Sequence, residues 1–198
     1  MRLRKYILPL LMISLQIGLG KVSIHDIQYT TDPGGDSPLN GQPVTTSGVI
    51  TAAFSDGFLL QDPEGGPWSG VWVYHPDHPL ERGNSIIVSG TVAEFHQLTE
   101  INQVTRLHVI SRADPLPLAA SLATGDTSSE AWESVLIEVN LCSVIDANPG
   151  HGEWIVDDGS GPIRVGDRGD YPYTPVQGDV LTSLTGPLGF AYDHFKIQ

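Results

Sequence analysis

The chain repeats itself. The run Gly57-Phe58-Leu59-Leu60-Gln61-Asp62 returns about 96 positions later as Glu153-Trp154-Ile155-Val156-Asp157-Asp158. Each run is followed in the same order by a Gly/Pro/Ser turn, a short apolar stretch (Val71 to Tyr74; Ile163 to Val165), a polar connection, and a turn leading into a longer apolar segment. Gly83 pairs with Gly178, Gly90 with Gly186 and Ile101 with Ile197 at a nearly constant offset. A period this long, with turns and strands kept in order, marks two copies of one small module, so the fold must be one that closes twice over a short core.

Within each copy, Gly, Pro, Asn, Asp and Ser punctuate runs of Val, Ile, Leu, Thr, Trp and Tyr, which is an all-β pattern. The first copy offers strands at Pro43 to Phe54, Gly57 to Gln61, Gly70 to His75, Ser85 to Phe95 and Thr99 to Ser111. The second offers Val135 to Asp146, Gly152 to Asp157, Gly161 to Val165, Val180 to Leu188 and His194 to Gln198. A long first strand and short second and third strands are the proportions of a small five-stranded OB-type barrel, and a seven-stranded sandwich would need more strands than each half supplies. The fold expected is therefore two tandem five-stranded OB-type barrels. Ahead of the first, Val22 to Ile27 reads as strand-like, followed by a loop from Thr31 to Gly41. The one helical candidate is a short capped turn from Ser128 to Ser134.

Arg2, Arg4 and Lys5 precede an apolar stretch from Tyr6 to Leu15, with Gly18 and Gly20 before Lys21, the layout of a secretory signal cleaved near Gly20. The alternative, an uncleaved anchor, would have to span with a short stretch interrupted by Pro9 and Gln16. The organisation expected is a signal at 1–20, a first module with its lead-in at 21–112, a linker at 113–127 and a second module at 128–198. The setting expected is secreted or periplasmic. Cys142 is the single cysteine, so stability must come from the apolar cores without an internal disulfide. The formal charge is −13 and grows more negative once the three basic residues of the signal are removed, which excludes a general attraction to phosphate or anionic membrane.

The series Gln42-Pro43-Val44, Gly48-Val49-Ile50-Thr51, Gly57-Phe58-Leu59-Leu60-Gln61-Asp62-Pro63, Ser69-Gly70-Val71-Trp72-Val73-Tyr74 and Val88-Ser89-Gly90-Thr91-Val92-Ala93-Glu94-Phe95 resembles the OB-fold modules that precede the catalytic domain in secreted bacterial nucleases of the endonuclease/exonuclease/phosphatase type. The second half, with Glu153-Trp154-Ile155-Val156-Asp157-Asp158-Gly159-Ser160-Gly161, looks like the second module that accompanies the first. The resemblance covers about Ser23 to Gln198 and implies an accessory nucleic-acid-binding role. It does not imply catalysis in this chain, because the family's nuclease domain has no counterpart in it.

Strand alternation separates the side chains that face a ligand from those that fill a barrel. Val71 and Val73 point inward and Trp72 and Tyr74 outward; in the second copy Ile163 and Val165 point inward and Arg164 outward, at the position of Trp72. Strands two and three with the neighbouring loops form the binding face of an OB barrel, so an exposed Trp72 and Arg164 would supply a stacking platform and a cation for a single-stranded ligand. The competing reading has Trp72 packed against the lead-in or the other module. Phe58 and Trp154 occupy equivalent inward positions and read as core. Phe95, His96, Phe190, Tyr192 and His194 lie in or beside the loops between strands four and five, where they would rim a groove. Trp68, in a turn, is either a contact or a lid over a barrel end.

Other constellations are weaker. Asp157-Asp158-Gly159-Ser160-Gly161 and Asp32-Pro33-Gly34-Gly35-Asp36 offer oxygen ligands for calcium, but without the spacing of an established calcium loop, and turn formation explains both. His75 and His78 lack evident third and fourth ligands for a metal. Arg168-Gly169-Asp170 matches an adhesion tripeptide, as short matches do by coincidence. No nucleophile elbow, phosphate-cradling Gly-Lys loop or His-Glu-x-x-His helix occurs.

These readings converge on an exported, non-catalytic protein that binds single-stranded nucleic acid through Trp72, Tyr74, Arg164, Phe95, His96 and Tyr192, with no cofactor required and calcium as the one candidate ion. Two alternatives stand beside it: a module that docks a secreted or cell-surface protein partner, and the leading part of a longer nuclease.

Overall fold

Among the described residues, eleven strands account for nearly all of the regular structure. The computed structural model describes residues 20–169 and 171–198, so the signal segment and Asp170 lie outside the described residues. Strands β1 (Pro43–Phe54), β2 (Gly57–Gln61), β3 (Gly70–Tyr74), β4 (Ser85–Phe95) and β5 (Leu98–Ser111) close into a barrel of order β1-β2-β3-β5-β4. Strand β3 meets β5 in parallel, with Trp72 opposite Glu100 and Val73 opposite Ile101, and every other pairing is antiparallel. The second copy has β7 (Leu136–Gly150), β8 (Glu153–Asp157), β9 (Ile163–Val165), β10 (Val180–Ala191) and β11 (His194–Ile197), joined in the same order and closed by β10 against β7. The chain is thus two tandem OB-type barrels.

The duplication holds at the level of single contacts. Phe58 lies opposite Val73, and Trp154 opposite Val165. Gly83 N–H donates to Ile50 O and Gly178 N–H to Val144 O, each glycine at a positive φ (86° and 95°) that suits a residue without a Cβ. Each barrel then fills its own interior. Phe58, Leu60, Val71, Val73, Ile86, Val88 and Ile101 are fully buried in the first. Trp154, Val156, Ile137, Val139, Leu188 and Ile197 are buried in the second. Inward residues alternate along β4 as they must where one face meets the core and the other does not.

Two segments differ from the sequence expectation. The lead-in is not a strand: Ile24–Gln28 form one helical turn, α1, whose N-cap Ser23 accepts a hydrogen bond from Asp26 N–H at 3.0 Å. Ile24, Ile27 and Gln28 are its buried face and His25 and Asp26 its exposed one, a spacing of three and four that five residues are too few to advertise. The segment read as a linker also joins the sheet, since β6 (Ala120–Leu122) runs parallel to β7 and packs Ala120 and Leu122 against the second core. The Ser128 to Ser134 turn is a 3-10 turn at Glu130–Trp132.

The barrels meet across a close junction. Leu136 N–H donates to Gln61 Oε1 at 2.9 Å, Trp68 N–H donates to Ala131 O at 2.7 Å, and a Cβ at Gly70 would stand 2.7 Å from Val135 N. That last distance explains why the first residue of β3 carries no side chain.

Candidate ligand-binding groove

The register confirms that Trp72 and Arg164 are equivalents, for Leu59, Trp72 and Glu100 form one outward cross-strand row and Ile155, Arg164 and Lys196 form the other. Their surroundings are opposite. Trp72 is only 6 % exposed, its ring 6.1 Å from that of Phe54 and 5.0 Å beneath the guanidinium of Arg168 from the second barrel, which also pairs with Asp56. Trp72 is therefore not an open stacking platform; a loop of the other module covers it. Arg168 is correspondingly engaged within the molecule.

The face of the second barrel is open. A groove of about 520 Å³ is lined by Ile155, Pro162, Ile163 and Arg164 from β8, β9 and their turn, and by Phe190, Asp193, His194 and Phe195 from β10, β11 and their turn; Gln97 and Ser128 close its side. A second hollow of about 220 Å³ shares Gln97, Phe190 and Phe195 with it and runs on to Trp68, Glu130 and the Asp32–Gly35 loop. Phe190 and Phe195 meet edge to face with centroids 4.9 Å apart and make the shared floor.

Arg164 enters the groove in company. Its Nη1 lies 2.9 Å from Glu153 Oε2, while Lys196 Nζ lies 2.5 Å from Glu153 Oε1. Burial pushes the Glu153 carboxyl up, but the two cations outweigh it and hold the group below the ordinary glutamate range. Two positive charges on one carboxylate leave a net positive spot in an acidic protein, with a third of the Arg164 side chain still reachable.

The far end of the groove is acidic. Glu130 is pushed up to about 7, first by burial and then by its neighbours Glu94 and Asp36. Glu94 is raised mainly by burial although it accepts from Ser37 N–H at 2.8 Å and Thr99 Oγ1–H at 2.9 Å. Among the described residues none of the three ion pairs involves these carboxyls. Trp68 stands over this end, edge-on to Tyr29 at 5.6 Å.

The two hairpin tips carry the remaining candidates. His96-Gln97 and Tyr192-Asp193 are two-residue turns with both residues at positive φ (51°, 66° and 55°, 60°), so His96 and Tyr192 are repeat equivalents. Phe95 is 59 % exposed and packs edge to face on His96, and Tyr192, 88 % exposed, lies 5.2 Å from Lys196 Nζ. These side chains stand outside the groove lining, whereas the next residue of each turn, Gln97 and Asp193, lines it. Tyr74 is 46 % exposed at the end of β3, opposite Gly57, and also lies outside it. Of the residues singled out from the sequence, Arg164, Phe190 and His194 line the groove and Trp68 lines the adjoining hollow, whereas Gln97, Asp193, Phe195 and Glu130 were not singled out. The repeat register held the missing signal for the first two, since it places Gln97 on Asp193.

The carboxylates of the oxygen-rich loops are taken up by hydrogen bonds within the chain, Asp32 Oδ1 by Gly34 N–H at 2.7 Å. Asp157 Oδ1 accepts from Gly159 N–H at 2.6 Å and Gly161 N–H at 3.2 Å. Asp158 accepts from Thr124 N–H and Oγ1–H and from Ser160 N–H and Oγ–H, which hold its carboxyl far below the ordinary aspartate range. His78 is committed as well: Nδ1 accepts from Leu80 N–H at 3.2 Å, which leaves Nε2–H to donate to Gly57 O at 3.0 Å. Among the described residues no group of three or more His, Cys, Asp or Glu side chains is arranged to hold a metal ion.

No family model matches the chain, and no curated protein matches it. Among solved structures it is similar to the hypothetical protein ygiW from E. coli, at 16% identity over 36% of this chain and 77% of that one, with a TM-score of 0.30. It is also similar to a putative aspartyl-tRNA synthetase from Leishmania major Friedlin, at 12% identity over 54% of this chain and 23% of that one, with a TM-score of 0.36. Likeness at this level carries no functional argument, and the fold assignment rests on strand order and register.

Proposed function

We propose that this chain is an exported binding module that holds an extended single-stranded nucleic acid in the groove of its second barrel. The observation that carries the reading is the position of Arg164. It stands on the outward row of β8, β9 and β11, the face an OB barrel offers to oligomeric ligands, beside an aromatic floor made by Phe190 and Phe195. Stacking contributes about 1–3 kcal/mol per base, which suits a protein whose overall charge opposes phosphate. Arg164 supplies the local cation, and the bases rather than the backbone supply most of the affinity. The resemblance to nuclease-associated modules points the same way.

Fluorescence anisotropy with labelled oligonucleotides at low salt, with and without calcium, tests this reading. Binding should weaken roughly tenfold in Arg164→Ala and remain in Tyr74→Ala. No binding at high micromolar protein overturns it.

A protein ligand is the second reading, favoured by Asp193 and Glu130 in the same groove, which suit a basic peptide better than a phosphate. An affinity for Lys-rich peptides that falls in Glu130→Gln, with none for oligonucleotides, would decide for it.

A further inference from the structure

At the acidic end of the groove the Glu130 carboxyl has no hydrogen-bond or ion-pair partner among the described residues. Its neighbours are engaged: Glu94 accepts from Ser37 N–H and Thr99 Oγ1–H, Glu133 from Thr99 N–H, and Asp32 Oδ1 from Gly34 N–H. Gly35 sets how the free carboxyl is presented. A Cβ on that glycine would stand 2.9 Å from Glu130 Cδ, 3.0 Å from Oε2 and 3.1 Å from Oε1. Nearly equal distances to all three atoms mean that residue 35 covers the flat face of the group. Hydrogen bonds to such oxygens come in near the plane, and a face-on contact leaves that plane open on both. Gly35 and Glu130 line the 220 Å³ hollow together with Phe190, Phe195 and Trp68.

We propose that this hollow is a guanine subsite: the base lies against the Phe190–Phe195 floor, and its N1–H and N2–H donate to the two oxygens of Glu130. The inference rests on the nucleic-acid reading and names the base that the groove selects. Single-stranded bases are read on their Watson–Crick edges, and guanine alone offers two adjacent donors there. Thymine and uracil set one N–H between two carbonyls, whose oxygens a carboxylate repels. Adenine and cytosine put an acceptor beside their amino group. A carboxylate with both oxygens free takes the guanine pair as two parallel charge-assisted bonds. The backbone has a place as well. Phe190 and Phe195 line both hollows, and Arg164 with Lys196 stands on the other side of that floor, so a nucleotide with its base at Glu130 turns its phosphate toward the cations. An arginine side chain carries a similar donor fork and also stacks on aromatic faces, but the same two cations oppose a basic chain along the floor.

Fluorescence anisotropy tests the subsite with a labelled oligothymidine about ten nucleotides long, within the site sizes of OB folds. It is compared with the same strand carrying one central deoxyguanosine, deoxyinosine or deoxyadenosine. Burial first, then Glu94 and Asp36, push Glu130 up to about 7, so the measurement is made at about pH 8, where the group is mostly a carboxylate. The deoxyguanosine strand should bind about tenfold more tightly than oligothymidine, in line with a good bidentate pair. Deoxyinosine keeps N1–H without the 2-amino group and should fall between them. In Glu130→Gln the ratio of the two affinities should collapse to about one, because the carboxamide sets an N–H against the donors of the base. In Arg164→Ala both strands should weaken and the ratio persist. Equal affinities in wild type, a deoxyadenosine strand that binds as tightly as the deoxyguanosine one, or a preference unchanged in Glu130→Gln overturns the guanine subsite and leaves the nucleic-acid reading standing. No binding of any strand, with or without affinity for an arginine-rich peptide, overturns both.

Discussion

Arg168 of the second barrel sits with its guanidinium carbon 4.2 Å from the ring centroid of Phe54 and 5.0 Å from that of Trp72, both in the first. One side chain therefore closes the face that its own barrel leaves open.

Arg168→Ala should uncover Trp72. The expected result is a shift of tryptophan emission to longer wavelength and a loss of about 0.5–2 kcal/mol in denaturant unfolding, the range for a cation over aromatic faces. Unchanged emission would mean that something else shields the indole.

Gly90→Ala and Gly186→Ala should each destabilise by about 1–3 kcal/mol through overpacking. A Cβ at 90 would stand 2.6 Å from Asn102 O and 2.7 Å from Ile101 Cγ2; one at 186 would stand 2.8 Å from Ile197 Cγ2 and nearer still to Gln198 O. Because the cores are separate, hydrogen exchange should place the damage of each in its own barrel.

Tyr171→Phe should cost about 1–3 kcal/mol, measured by thermal or denaturant unfolding. The Tyr171 hydroxyl accepts from Trp154 Nε1–H at 2.8 Å, and Trp154 is 1 % exposed, so removing the oxygen leaves a buried donor without a partner.

Asp158→Ala should release the Thr124–Asp126 turn from the β8–β9 turn at a cost of about 1–3 kcal/mol. Since the folded carboxyl lies below its ordinary pKa, its contribution is present above the ordinary aspartate pKa and is lost as pH falls through the folded value. Unfolding curves of wild type and variant should converge in acid; a constant difference down to the lowest accessible pH would contradict the assignment.

The sequence by itself determined the duplication, the strand boundaries to within a few residues in most cases, and the inward or outward sense of each strand residue. All three follow from local periods, the twofold alternation of a strand and the recurrence of turn residues, which neighbours in sequence carry. Phe58 and Trp154 were legible as core for this reason. Helix α1 was not, because one turn is shorter than the period that would reveal it, and β6 was not, because three residues of a parallel edge strand owe their pairing to β7. The candidate site divides along the same line. Alternation placed Trp72 and Arg164 on matching outward rows, but it says nothing of what lies beyond the row. Only the tertiary structure decided that Arg168 covers Trp72 while Arg164 faces an open groove, because packing between barrels joins side chains about a hundred residues apart, and no local pattern in the chain records it.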